Sequence, residues 1–202
     1  MKEKEKPIIF SSKMVRSILE GYKTQTRRIV KHPESCYTIL WRTGQPGLAE
    51  PSHSWSPYGD VGERLWVKER ALYWTGGAGG TADVVYEDDP DLPILLRDKE
   101  TIAKIQEERG NDGVLGNYQW WSARCMPRWA SRITLEITHN CVERVQDISE
   151  IDVLKEGVST VEEYAGLWDS LNAKRGYSWE SNPWVWVIDF NLLPTEEKEA
   201  EE

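Results

Sequence analysis

The stretch Ile18-Leu-Glu-Gly-Tyr-Lys-Thr-Gln-Thr-Arg-Arg28 constrains this chain more than any other. Met14, Val15, Ile18 and Leu19 sit at helical spacing, and Ser11 or Ser12 precedes them as a cap, so a short helix with one apolar face is expected. Gly21 stops it by supplying a left-handed turn. Lys23, Thr24, Thr26, Arg27 and Arg28 then crowd into six positions. A straight strand would set Lys23 and Thr26 on opposite faces, whereas a turn would let them converge. An amine beside a hydroxyl is one way to activate a weak oxygen nucleophile.

The remaining pattern is strands separated by turns, with a few short helices. Lys6–Phe10 reads as an apolar strand. Arg64–Trp74 reads as one long strand with Leu65, Val67, Glu69 and Ala71 on one face, so Glu69 is either a buried carboxylate or the partner of a nearby arginine. Asp83–Tyr86 and Trp184–Phe190 are further strands. Ile133–Val145 is the clearest, with Ile133, Leu135, Ile137 and His139 sharing a face. Ser149 caps a helix that Gly157 stops, and Val161–Ala173 forms another with Tyr164, Leu167, Trp168 and Leu171 on one side. Residues 31–57 read as a long loop, 75–81 as a glycine linker and 100–109 as a charged helix. The expectation is an α+β fold, a mixed β-barrel with short flanking helices. Residues 1–194 form one domain with an insertion over about 74–120, and 195–202 an acidic disordered tail.

Composition narrows the function classes. The net charge of −9 argues against a protein that coats nucleic acid non-specifically. Basic residues nonetheless gather at Arg27/Arg28, Arg64/Lys68/Arg70 and Arg124/Arg128/Arg132, which suits a small positive cleft for a nucleoside or short strand. No apolar run reaches the length of a membrane span, and Met1–Lys6 lacks the apolar core of a signal peptide. Three cysteines without evident pairing fit a reducing cytoplasm. Eleven tryptophans serve mostly as core. Neither His32/Cys36 nor His139/Cys141 has zinc-site spacing, so no metal or other cofactor is implied, and the thiols read as ordinary buried ones.

Two constellations carry candidate chemistry. In the first, Thr26 is the nucleophile, Lys23 the base that takes its proton, and Glu156 the acid for a leaving amine. The bland alternative is a turn held by side-chain-to-backbone hydrogen bonds, with Glu156 an exposed helix residue. In the second, Arg128 and Trp129, extended by Ser131 and Arg132, hold a phosphate and stack a base, or make a surface cation–π contact.

Gly21-x-Lys23-Thr24-x-Thr26-x-Arg28 after a short helix resembles the signature of ASCH-domain proteins of the PUA-like superfamily. Pro7-Ile-Ile-Phe10 resembles their opening strand, Gly59-Asp60-x-Gly62-x-Arg64-Leu65-Trp66-Val67 a "G-D-x-L-x-V" strand, Gln146–Gly157 an acidic helix, and Pro183–Phe190 a closing strand. With Met126-Pro-Arg-Trp-Ala-Ser-Arg132, the arrangement is most similar to larger ASCH proteins of phages and prophages; residues 31–57 and 74–120 are not covered. The resemblance implies a PUA-like barrel and brings Glu156 to Lys23. It implies hydrolysis of N4-acetylcytidine-type amides by Lys23, Thr26 and Glu156. The candidate substrate-binding residues are Thr24, Arg28, Trp66, Glu69, Arg128, Trp129 and Ser131. The alternatives are a non-catalytic module for modified or single-stranded nucleic acid, a ribonuclease, or a phage protein binding a host partner through its inserted loops.

Overall fold

The computed structural model describes residues 5–31, 56–74, 84–87 and 118–194. The expected 75–81 linker, 100–109 helix and 195–202 tail lie outside them, as do most of the 31–57 loop and of the 74–120 insertion. The chain divides into two compact units. One holds residues 1–6, 17–66 and 133–202, and the other residues 7–16 and 67–132.

Eight strands and three α-helices are described. They are β1 (Glu5–Ile9), α1 (Ser12–Leu19), β2 (Gln25–Ile29), β3 (Arg64–Lys68), β4 (Ala71–Trp74), β5 (Val84–Tyr86), β6 (Tyr118–Trp121), β7 (Thr134–Arg144), α2 (Glu150–Lys155), α3 (Val161–Asn172) and β8 (Trp184–Leu192). One sheet has the order β1-β3-β7-β8-β2, the other β5-β4-β6. The mixture of helices and sheets is α+β, as expected.

Among the described residues the larger sheet is open and does not close into a barrel. Its edge strand β2 shows why. Thr24 O accepts from Phe190 N at 2.9 Å, so by alternation the carbonyl of Gln25 faces away from β8. The Lys23 amine takes that carbonyl at 2.8 Å in place of another strand.

Three more expectations need correction. Arg64–Trp74 is two strands, β3 and β4, in two different sheets. Its inward face is nonetheless as read, since Leu65, Val67, Glu69 and Ala71 are all buried. In β7 the register against β8 shifts between Ile137 and His139. The extra residue turns His139 out to solvent and puts Asn140 inside, 1% exposed. On α3 the buried stripe is Tyr164, Trp168 and Asn172, whereas Leu171 is exposed. Similarly, α1 buries Val15 and Ile18 and leaves Leu19 half-exposed.

Register fixes the two faces of the larger sheet. One carries Thr26, Arg28, Asn140, Trp186, Ile188 and Phe190; the other carries Gln25, Arg27, His139, Cys141, Glu143, Val187 and Asp189. α2 and α3 cover the second face, where Val145, Ile148, Val153, Tyr164, Trp168, Val185 and Val187 make a continuous core. No described helix is long and apolar enough to cross a membrane.

Candidate functional site

Two helix ends converge on Lys23. At the end of α1, Gly21 has φ +80°, and the amides of Tyr22 and Lys23 both donate to Ser17 O at 2.9 and 3.0 Å. This is the left-handed turn that glycine allows at low cost. At the other end, Ser149 caps α2 by accepting from Asp152 N, and Lys155 O accepts from Thr24 N at 2.8 Å. Gly157 has φ +83°, and a Cβ built there would stand 3.4 Å from Lys23 Cβ and 3.5 Å from Ser17 Cβ. Glycine therefore serves both the turn and the close approach of α2 to Lys23.

The Lys23 side chain is 1% exposed and that of Glu156 5%. Nζ donates to Glu156 Oε2 at 2.5 Å, to Gln25 O at 2.8 Å and to Glu156 O at 2.9 Å. Three acceptors match the three protons of an ammonium. The Gln25 carbonyl belongs to the peptide unit that leads into Thr26, so the amine lies beside the Thr26 backbone. Burial pushes the Lys23 pKa below its ordinary value, against the opposing pull of Glu156; Arg28 and Arg27 add to the lowering.

Arg27 is the second centre of charge, and the sequence reading gave it no role. Its side chain is fully buried. Nη2 and Nε meet Glu143 Oε1 at 2.6 and 3.1 Å, Nη2 stands 3.5 Å from Asp152 Oδ2, and Nη1 donates to Gln25 Oε1. Nη1 also lies 3.5 Å from Glu156 Oε1, a buried oxygen with no hydrogen-bond partner among the described residues. Gln25 Nε2 in turn donates to Asp189 Oδ1 at 2.6 Å and Asp152 Oδ1 at 3.1 Å. Burial opposes the Arg27 charge, yet Glu156 and Glu143 outweigh it and the pKa rises. Burial would raise that of Asp152, but hydrogen bonds from Ser149 and Gln25 and the charge of Arg27 lower it. Burial, then Glu156, raises Tyr164 well above the usual tyrosine value. The signal for this network was present in the sequence, because alternation puts Gln25 and Arg27 on one face of β2.

Thr26 and Arg28 occupy the other face. Thr26 is 4% exposed and lies opposite Ile188. Arg28 is half-buried, and burial lowers its pKa while Tyr58 and Glu156 oppose that shift. Trp66, half-buried on β3, lies opposite Thr134. The unit that holds Lys23 thus gathers Lys23, Thr24, Thr26, Arg28 and Glu156 at or beside β2, and Glu156 is no exposed helix residue.

Glu69, Arg128, Trp129 and Ser131 belong to the other unit. Glu69 is buried and bridged by Arg132, with Nε–Oε1 at 3.0 Å and Nη2–Oε2 at 2.8 Å; the guanidinium also lies 3.9 Å above the Tyr86 ring. Glu69 is thus buried and also the partner of a nearby arginine. Ser131 Oγ donates to Val67 O at 2.8 Å. Arg128 and Trp129 are exposed.

Cys36 lies outside the described residues, and of the two described cysteines Cys125 is exposed, contrary to expectation. Burial, then Glu143, pushes the half-buried Cys141 thiol up to about 11, which leaves it protonated at neutral pH. His139 Nδ1 stands 3.5 Å from Asp189 Oδ2. Among the described residues no three His, Cys, Asp or Glu side chains gather as a metal ion would require. No protein-family model matches this chain, and neither does any curated protein or solved structure.

Proposed function

We propose that this chain is an ASCH-type protein of the PUA-like superfamily whose site at Lys23, Thr26 and Glu156 hydrolyses the amide of an N4-acylated cytidine. The observation that carries the reading is the buried contact of 2.5 Å between Lys23 Nζ and Glu156 Oε2, across 133 residues of sequence. One proton moved from Nζ to Oε2 yields a neutral amine and a protonated carboxyl together. Those are the base and the acid that amide hydrolysis requires. The depressed lysine pKa acts in the same direction. Arg27, facing Oε1, resists the shift and keeps the resting pair ionised.

In this scheme Thr26 Oγ1 adds to the acyl carbon and its proton passes to Lys23. Glu156 protonates N4 as the C–N bond breaks, and cytidine leaves. Water then adds to the Thr26 ester and gives a proton to Glu156 while Lys23 returns one to Thr26 Oγ1, so the carboxylic acid departs and the hydroxyl, the neutral amine and the protonated carboxyl are restored. Thr24 and Arg28 contact the nucleoside.

The test is conversion of N4-acetylcytidine to cytidine, followed by chromatography. Wild type and Thr26→Ser convert it, while Thr26→Val does not. No conversion by the wild type at high enzyme concentration rejects the reading.

A second reading has its own support. Nζ already has as many acceptors as an ammonium has protons, which suits a lasting structural charge. The site would then recognise a modified or unpaired base without chemistry. Nucleoside binding without product, weakened in Thr26→Val, distinguishes this case.

A further inference from the structure

The net charge of −9 falls wholly on the unit that holds Lys23. Counted over its full sequence, that unit has 14 Lys and Arg against 23 Asp and Glu, whereas the other has 11 of each. The excess is dense around α2, where between Gln146 and Glu163 six carboxylates stand against Lys155 alone. Lys155 is itself drawn to Asp152, 3.5 Å away. Glu20, Asp147 and Glu150 are exposed and have no ion-pair partner among the described residues.

Apolar side chains stand in this acidic field. α2 has six residues, and two of them, Ile151 and Leu154, are 68% and 59% exposed. Three positions apart, they share the outer side of the helix, while Val153 and Glu156 go inside. A helix that buries one face calls for polar residues on the other, so the fold itself gives these two no use. The end of α1 adds Leu19 and Tyr22, 44% and 69% exposed. The two helix ends are joined, because Thr24 N donates to Lys155 O at 2.8 Å and a Cβ at Gly157 would stand 3.5 Å from Ser17 Cβ.

We propose that Ile151 and Leu154, with Leu19 and Tyr22 on the adjoining helix end, form a docking surface for a basic amphipathic helix of a partner protein. Exposed apolar side chains that the fold does not need mark an interaction surface. The charge selects the occupant. An acidic surround repels a nucleic acid, an anionic membrane and a second copy of the same unit, and it attracts a cationic segment. An apolar pair at i, i+3 on a helix forms a ridge against which another helix packs its own. The surface shares no residue with Lys23, Thr26 and Glu156, so it does not rest on the hydrolytic reading.

The test is fluorescence anisotropy of a labelled helical peptide of about 18 residues, with leucines at i, i+3 and i+4 and lysines elsewhere. The controls are a peptide of the same composition with its leucines out of register, and one with glutamates in place of lysines. The wild type binds the basic amphipathic peptide at least about tenfold more tightly than either control. Ile151→Ser/Leu154→Ser weakens that binding at least about tenfold. Both residues are exposed, so the fold is kept, and Ile151→Leu/Leu154→Met binds as the wild type does. Glu20→Gln/Glu150→Gln weakens binding at low salt and not at high salt. Thr26→Val leaves it unchanged. Sedimentation, and flotation with phosphatidylcholine vesicles, test the other occupants. The proposal is overturned if the wild type does not bind, if either control binds as tightly, or if Ile151→Ser/Leu154→Ser binds as the wild type does. It is also overturned if that variant disperses a wild-type dimer or frees the protein from vesicles that hold the wild type.

Discussion

Removing Lys23 should expose how much the fold depends on the buried pair. In Lys23→Met, Glu156 keeps its carboxylate in a site where the side chain is 5% exposed, and loses its 2.5 Å partner. Breaking a buried ion pair on one side costs about 3–5 kcal/mol. Arg27 Nη1 remains 3.5 Å from the other carboxylate oxygen, which sets the expected loss near the lower end, about 3 kcal/mol. For a chain of 202 residues that is a fall in Tm of about 6–12 °C. Glu156→Leu should cost less, because Lys23, whose pKa burial already lowers, can shed its proton. In Lys23→Met/Glu156→Leu no charge of the pair remains, and stability should return to within about 1 kcal/mol of the wild type. Urea unfolding of all four proteins gives the coupling energy directly. A single-variant loss under about 1 kcal/mol, or a double variant no better than Lys23→Met, would refute the reasoning.

Other expectations follow from the same geometry. Arg132→Ala should destabilise more than Glu69→Gln, by about 2 kcal/mol in melting experiments, since it strands a carboxylate that is 1% exposed whereas the Arg132 side chain is 27% exposed and still lies over Tyr86. Gly21→Ala should cost about 1 kcal/mol from the left-handed φ alone, because a Cβ there has nothing within 4 Å. Gly157→Ala should cost about as much, because its Cβ meets Lys23 and Ser17 at ordinary van der Waals distance and only the left-handed φ is strained. Turnover should fall as pH rises through a midpoint below 10.5, where the pair loses its shared proton and Glu156 has none to give the leaving amine. In that window the unfolded chain binds more protons at this lysine, so its contribution to stability rises with pH. Tyr164 has the opposite sign. Its raised pKa means the folded state holds the proton longer, so stability falls as pH rises above 10, and Tyr164→Phe should remove part of that fall in alkaline unfolding curves.

Local rules reached far into this fold but not through it. Two-residue alternation found the buried face of Leu65, Val67, Glu69 and Ala71, and glycine and cap signals found the ends of α1 and α2. Alternation could not see that Arg64–Trp74 is shared between two sheets, because partner strands decide that. Nor could it see the bulge after Ile137, which exchanges His139 for Asn140 in the interior. A helical stripe drawn through Leu171 missed that Asn172 goes inside and donates to Trp168 O. At the site, local chemistry named Lys23 and Thr26, while 133 residues separate Lys23 from Glu156 and only the resemblance joined them. Arg27 was missed because its partners, Glu143, Asp152 and Glu156, come from β7 and from α2 and its end.

The hydrolytic account is tested most directly by quenching a reaction of the protein with N4-acetylcytidine and examining the peptide that contains Thr26 by mass spectrometry. The account predicts an acetyl ester on Thr26 in the wild type, with cytidine released, and neither in Thr26→Val. Cytidine released without the ester would contradict the role of Thr26, and no cytidine at all would contradict hydrolysis at this site.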